Sequence, residues 1–274
     1  MKIIVGITGA SGVLGKYFVN KYKNYQYDFF QGDITNKKDL DKWIKSTESK
    51  YIIHLASKVS TEYVKNNFQK ALSVNYSGTK YLVDKIIKSK KKIWFFFASS
   101  SHVYKISNKK LKENDLLRPL THYGKSKFKT ERYLLNKLKK NNLKICIGRI
   151  FSFTHSSQKI PYLIPSLFKK INSKKKEITL KNLNHERDFC HIDDICRGIN
   201  LLMKQNSTGV FNIASGKKIK LYDLVKIINS RGKKIIYLEN NIRTKLVANI
   251  TKIKRVGFKP RFGINKIITD FGAK

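Results

Sequence analysis

Long apolar runs are missing from this chain of 274 residues; no hydrophobic stretch approaches the length needed to span a bilayer. The opening Met1-Lys2-Ile3-Ile4-Val5-Gly6 meets a glycine too soon to be a secretory signal, so the expectation is a soluble, cytoplasmic protein with no membrane attachment. Cysteine is scarce as well. Cys146, Cys190 and Cys196 are odd in number, far apart and set among apolar neighbours, the pattern of reduced core thiols rather than of disulfides or a metal centre. Arginine is sparse against lysine: nine of the 58 basic residues are arginine, although the formal net charge reaches +40. Planar bidentate reading of phosphates and base edges favours arginine, and the lysines are spread along the whole chain with no basic arm or tail. The charge therefore reads as solvated lysine faces, and no nucleic-acid partner is expected. Repeats and low-complexity linkers are absent too. What remains, at 41% hydrophobic content, is enough to bury the core of one large domain or two small ones.

The chain is organised around Ile3-Ile4-Val5-Gly6-Ile7-Thr8-Gly9-Ala10-Ser11-Gly12-Val13-Leu14-Gly15. A run of β-branched residues reads as a buried parallel strand, and it empties into three glycines. Gly9 allows a tight turn, Gly12 a close approach of backbone to a pyrophosphate, and Gly15 the packing of the next helix on the strand. That helix would meet the phosphates with free N–H groups and the positive end of its dipole. Downstream, strand and helix patterns alternate. Strands are expected at 25–30, 51–57, 92–98 and 143–150, and helices at 13–23, 39–46, 66–90 and 123–140. This alternation predicts an α/β fold with a doubly wound parallel sheet. Beyond Phe151 the regularity falls away: a short strand over 177–180, a helix over 192–203, a strand over 210–214, and a helical tail after Gly216. A carboxylate about 20 residues past the glycines usually binds the adenosine ribose, and Asp28 and Asp33 both qualify.

The fourth strand delivers Ser99-Ser100-Ser101-His102-Val103-Tyr104 at its carboxyl end, where open α/β sheets bind ligands. Tyr123-Gly124-Lys125-Ser126-Lys127 places a phenol and an ammonium on one face of a helix. A neighbouring cation favours phenolate, so Lys127 is expected to draw the Tyr123 phenol down from about 10, with the Ser100 hydroxyl holding the same substrate oxygen. A lone Tyr-x-x-x-Lys pair says little; its conjunction with the glycine turn and the serine-rich strand end gives it weight.

These residues carry a resemblance. Thr8-Gly9-x-x-Gly12-x-x-Gly15, Gly32-Asp33-Ile34, His54-Leu55-Ala56, Asn75-x-x-Gly78-Thr79, Ser99-Ser100-Ser101-x-Val103-Tyr104, Tyr123-x-x-x-Lys127 and Arg187-Asp188-Phe189-x-His191-x-Asp193-Asp194 follow in the order seen in the extended short-chain dehydrogenases, the NAD-dependent epimerase/dehydratase family acting on nucleotide sugars. The resemblance implies a Rossmann domain over 1–151 and 190–214 and a substrate-binding domain over 152–189 and 215–274. It implies NAD or NADP as cofactor, a nucleotide-diphosphate sugar as substrate, and a homodimer formed through helices that include the one bearing Tyr123. Tyr123 would be the acid/base, Lys127 would hold the nicotinamide ribose, and Ser100 would orient the sugar oxygen. The cofactor would lie against Gly9, Ser11, Gly12, Val13, Leu14, Gly15, Asp33, Ile34, Leu55, Ala56, Ser57, Asn75 and Ala98, together with Tyr123 and Lys127. The sugar nucleotide would meet Ser100, Ser101, His102, Ser152 and Arg187, with Arg243 a second candidate for the diphosphate; an ion pair of Arg187 with Asp188 or Glu186 is the plainer alternative.

Departures from the family pattern narrow the reading. Dehydratases that resemble this family carry an Asp-Glu pair before the Val-Tyr, whereas this chain has Ser101-His102, so elimination lacks its usual acid and base. Ser152 stands where asparagine is common. Gly15 and Asp33 are only 18 positions apart (33 minus 15), so the second strand and its helix are trimmed and the choice of NAD or NADP stays open, with Lys21 or Lys23 able to meet a 2′-phosphate. His102 reads as a wall residue in preference to a second acid/base or a pH-sensitive group, and His54 and His191 as structural. The expected activity is that of an NAD(P)-dependent nucleotide-sugar 4-epimerase or 4-ketoreductase serving surface polysaccharide, the short second strand leaning towards the reductase. The rival is a non-catalytic Rossmann protein binding a cofactor and a macromolecule, a nucleic acid being the candidate that the charge suggests.

Overall fold

The computed structural model describes residues 2–140, 143–230, 232–239 and 243–272. Strand β1 (Ile4–Thr8) leads into α1 (Val13–Lys21), β2 (Gln26–Phe29) into α2 (Lys37–Ser46), and β3 (Tyr51–His54) into α3 (Thr61–Asn66) and α4 (Phe68–Leu72). A π-helical turn over Ser73–Gly78 continues into α5 (Thr79–Lys88). β4 (Trp94–Ser100) ends in a 3-10 turn, Ser101–Val103, and α6 (His122–Lys140) returns the chain to β5 (Lys144–Ile150). Then come α7 (Leu163–Ile171), β6 (Glu177–Lys181), β7 (Glu186–Arg187), α8 (Ile192–Lys204) and β8 (Gly209–Ile213). The remainder holds β9 (Ile219–Lys220), α9 (Leu221–Ile228), β10 (Lys234–Leu238), β11 (Lys245–Leu246), α10 (Thr251–Arg255) and α11 (Ile264–Gly272).

The main sheet runs β2-β1-β3-β4-β5-β8 with every neighbouring pair parallel, the doubly wound arrangement that the alternation predicts. Parallel strands buried on both faces need apolar side chains in both directions. β4 supplies them: Trp94 and Phe96 enter the core under α1 and α8, and Phe95 and Phe97 enter the core under α2, α5 and α6. All four are essentially inaccessible, and full burial of each ring contributes ~2–3 kcal/mol. Strand order reverses around β1 and β3, which opens a crevice at their carboxyl ends.

Two expectations need correction. The single helix expected over 66–90 is broken: Asn67 leaves helical geometry (φ −132°, ψ 47°), and a π turn sits between α4 and α5. Apolar periodicity survives such breaks, so it could not reveal them. The stretch after Gly216 is also more than a helical tail. β10 pairs with β6 in parallel, and β9 and β11 flank β7. Two-residue strands are set by their partners and leave almost no local pattern. A second, smaller core gathers α7, β6, α9 and α11 around Leu167, Leu180, Leu224 and Ile267. Ile250, Ile253 and Phe258 pack instead in the larger core, although they lie within 215–274. Among the described residues no helix is long and apolar enough to cross a membrane, and no cluster of three or more His, Cys, Asp or Glu could hold a metal ion. Cys146, Cys190 and Cys196 are buried free thiols.

Candidate active site

The glycine turn is built by close approach. Gly9 has φ +74°, and a Cβ there would stand 2.5 Å from the Ala56 backbone nitrogen. A Cβ on Gly15 would lie 2.4 Å from the Gly9 carbonyl, so α1 is pressed onto the turn as far as glycine allows. Gly12, by contrast, has only the Gly9 carbonyl within reach at 3.3 Å, and its outer side is open. It begins α1 with no side-chain cap and no acidic residue in the first turn. An uncapped helix start beneath an open backbone, with Ser11 exposed and Val13 and Leu14 half-buried beside it, fits the pyrophosphate of a dinucleotide.

Around this turn the walls are tied together. His54 is 1% exposed and bridges Thr8 Oγ1 (2.6 Å) and Thr79 Oγ1 (2.8 Å). Burial pushes its imidazole down to about 3, which keeps it a neutral strut. The Leu55 and Ala56 amides donate to the carbonyl and hydroxyl oxygens of Thr8. Asn75, in the π turn, accepts from Ser57 Oγ and the Lys58 amide and donates to the Lys58 carbonyl and Ser126 Oγ. Its amide is fully occupied, so its part is to hold the Ser57 loop against α6. Of the two ribose carboxylates, Asp28 is withdrawn: it accepts from Trp43 Nε1 at 2.9 Å and from the hydroxyls of Thr47 and Ser49, facing α2. Asp33 is exposed beside the buried Ile34, and its carboxyl is held low by bonds from the Thr35 amide and hydroxyl, both 2.8 Å.

At the end of β4 the helix bearing Tyr123 is driven against the 3-10 turn. A Cβ on Gly124 would sit 2.3 Å from the His102 carbonyl. That contact brings Tyr123, 9% exposed, beside Ser100, whose hydroxyl works against burial by lowering the phenol. Lys127, 2% exposed, donates to the Ala98 carbonyl at 2.8 Å and stands 4.7 Å from the centre of the Phe97 ring and 5.9 Å from that of Tyr123. Phenol, ammonium and alcohol thus converge at one strand end. The electrostatics correct the expectation of an acidified phenol: burial pushes Tyr123 up to about 12 against the pull of Ser100, with Tyr162 adding to the rise. Burial pushes Lys127 down to about 7, with Glu131 opposing. Here desolvation outweighs the pull of Ser100, so the phenol is protonated at neutral pH.

Behind the site lies an ion pair that sequence reasoning missed. Arg149 of β5 (2% exposed) bonds Glu131 of α6 (0%) through Nε and Nη2, the latter at 2.7 Å, and donates to the Glu113 carbonyl at 2.9 Å. Glu131 also accepts from the Ser99 hydroxyl, beside Ser100 and one helical turn from Lys127. The signal was present: a charged residue inside the apolar run of β5 must find a partner.

Arg187, expected to meet the substrate diphosphate, makes neither ion pair weighed for it. Glu186 is taken by Arg243 (2.8 Å), and Asp188, fully buried, accepts from the amides of Ser215, Gly216 and Ala248. Among the described residues, Arg187 donates only to the carbonyls of Glu186 and Thr244, and desolvation alone lowers its guanidinium to about 10. Its charge is felt at His102, which burial pushes down to about 4. The imidazole lies edge-on to Tyr123 at 5.7 Å and 3.5 Å from Thr121 Oγ1. Ser101 is buried, and Ser152 is half-buried in a bridge to Phe189. Arg243, 64% exposed and bonded to Glu186, is not brought to the site as a free cation. Tyr162, ahead of α7, was not anticipated; its phenol disfavours the Tyr123 phenolate. His191 caps α8 through the Asp193 amide and bonds Asp270, a structural place.

The family profile described as GDP-mannose 4,6 dehydratase matches residues 10–264. GDP-6-deoxy-D-talose 4-dehydrogenase of Aggregatibacter actinomycetemcomitans is 29% identical over 238 residues, 83% of this chain and 79% of that protein. dTDP-4-dehydro-6-deoxyglucose reductase of Escherichia coli is 26% identical over 98% of this chain and 97% of its own length. UDP-glucose 4-epimerase of Mycoplasma genitalium is 27% identical over 93% of this chain and 84% of that protein. Among solved structures, RMD from Pseudomonas aeruginosa complexed with NADPH superposes with TM-score 0.88 at 18% identity, covering 99% of each chain.

Proposed function

The chain belongs to the extended short-chain dehydrogenases, the NAD-dependent epimerase/dehydratase family of nucleotide-sugar enzymes, and from that premise we propose that it moves a hydride between NAD(P) and C4 of a nucleotide-diphosphate sugar. The observation that carries the reading is the convergence of Tyr123, Lys127 and Ser100 at the carboxyl end of β4, with a desolvated Arg187, its charge felt at His102, that has no carboxylate partner among the described residues. When bound, the nicotinamide supplies or accepts the hydride. Everything else is the work of the chain. Ser100 and Tyr123 hold the sugar oxygen, and the protonated Tyr123 phenol hands that oxygen a proton as C4 is reduced. Lys127, anchored to Ala98, stabilises the phenolate left behind. Arg187 and its idle donors take the diphosphate, a charge that relieves its desolvation. His102, neutral at working pH, serves as a hydrogen-bonding wall for the sugar.

The 4-ketoreductase direction fits best, because the phenol is protonated and needs no prior activation. Both the 4-dehydrogenase and the reductase among the relatives act, by their names, at that carbon. Dehydration is disfavoured even though the matching family profile bears that name, since Ser101 and His102 offer no carboxylate where elimination needs an acid and a base. Dimerisation through the helix carrying Tyr123 belongs to the same proposal. The test is incubation with UDP-, dTDP- and GDP-linked sugars and their 4-keto forms while cofactor absorbance is followed. Stoichiometric oxidation of NAD(P)H by a 4-keto sugar supports the reductase. Sugar interconversion without net cofactor change replaces it with the 4-epimerase, and no turnover of any nucleotide sugar refutes both.

A further inference from the structure

On the far side of the glycine turn from Ser100, a cleft of about 450 Å³ is lined by Ala10, Ser11, Lys16, Val19, Asn20 and Phe29. With a dinucleotide on the turn, the reading on which this inference rests, Ser11 belongs to both the pyrophosphate turn and the cleft, so the cleft receives the adenosine ribose. Strand alternation decides what the ribose meets there. In β2, Asp28 points towards α2 and is consumed by Trp43, Thr47 and Ser49, while Tyr27 and Phe29 stack on the opposite, α1 side with ring centres 5.6 Å apart. The end of β2, where a carboxylate would grip the two ribose hydroxyls of NAD, therefore offers a phenyl ring. Asp33 is turned onto Thr35.

The lining instead carries one cation, Lys16, and two neutral hydrogen-bonding side chains, Ser11 and Asn20, with no carboxylate. Lys21, one of the two lysines the sequence offered for such a role, is committed to Asp193 at 2.5 Å. A ribose diol gains little from this set. A 2′-phosphate, with nearly two negative charges at neutral pH, gains a charge-assisted bond from Lys16 and donors from Ser11 and Asn20. We propose that this cleft binds the 2′-phosphate of NADP, with Lys16 as its charge partner, and that the protein uses NADP(H) in preference to NAD(H).

The experiment is direct binding of NADPH and NADH to the full chain by nicotinamide fluorescence, with adenosine 2′,5′-bisphosphate and 5′-AMP titrated by calorimetry as probes of the cleft alone. NADPH is expected to bind about ten- to a hundredfold tighter than NADH, and the bisphosphate tighter than 5′-AMP by a similar factor. Lys16→Ala, on an exposed helix position, is expected to remove most of that advantage while leaving NADH binding unchanged, and Lys16→Glu to reverse it. Equal binding of the two dinucleotides, or a preference that survives Lys16→Ala, overturns the assignment and leaves the dinucleotide reading standing. If neither dinucleotide binds, the reading of the glycine turn falls and the assignment with it.

Discussion

The buried pair behind the site gives a sharp test of how the machinery is held. Glu131 and Arg149 are 0% and 2% exposed, and they join α6, β4 and β5 through Ser99 and the Glu113 carbonyl. Removing one partner of a pair so enclosed leaves a charge with no water to receive it, at about 3–5 kcal/mol. Glu131→Gln keeps the shape and one acceptor oxygen, so its cost belongs at the lower end, ~3 kcal/mol; Arg149→Met strands the carboxylate and belongs at the upper end. The double variant removes both charges and recovers much of the loss, which gives a coupling of at least ~2 kcal/mol in a double-mutant cycle. Urea unfolding followed by circular dichroism measures each term, provided the m-value is unchanged. Because Glu131 is the charge that supports protonation of Lys127, its loss also moves the alkaline limb of the turnover profile to lower pH. Single variants costing under ~1 kcal/mol each, and adding without coupling, would mean the pair behaves like a surface ion pair and refute the reasoning.

Two more outcomes are expected from the charges at the site. Lys127 is depressed from 10.5 to about 7, so between those values the unfolded chain binds its proton more tightly and stability rises with pH; below 7 the penalty of the buried ammonium is complete. Lys127→Met should therefore raise the melting temperature most near pH 6 and least near pH 10, as scanning calorimetry across that range would reveal. Arg187→Met should weaken nucleotide-sugar binding about ten- to a hundredfold, leave dinucleotide binding unchanged, and slightly stabilise the free protein, because it removes an uncompensated guanidinium; isothermal titration with nucleoside diphosphates and a thermal melt check the two halves.

Much of this architecture is legible in the sequence, and the reasons are physical. Glycine spacing announces the turn, because at Gly9 and Gly15 no other residue fits, and the aromatic run of β4 announces a strand buried on both faces. The Tyr123–Lys127 spacing sets both groups on one face of α6 without any tertiary information. Their protonation is another matter. Desolvation depends on what covers them, so the phenol that the spacing suggested would be acidified is instead held protonated. Partners distant in sequence were likewise hidden: Glu131 with Arg149, Asp28 with Trp43, Lys21 with Asp193. The acids of Arg187-Asp188-Phe189-x-His191-x-Asp193-Asp194 could be recognised as a block, but only the fold reveals that Asp188 clamps the chain at Ser215 and Ala248 and that Asp194 receives the amides of Arg261 and Phe262.

The most direct measurement tracks deuterium from the reactive position of reduced NAD(P) into a 4-keto nucleotide sugar, in the native chain and in Tyr123→Phe. Label at C4 of the sugar is expected with the native protein, and loss of transfer in Tyr123→Phe with dinucleotide binding retained. Label that never reaches C4, or transfer that proceeds undiminished without the phenol, would contradict the assignment of Tyr123 as the proton donor to a sugar reduced at that carbon.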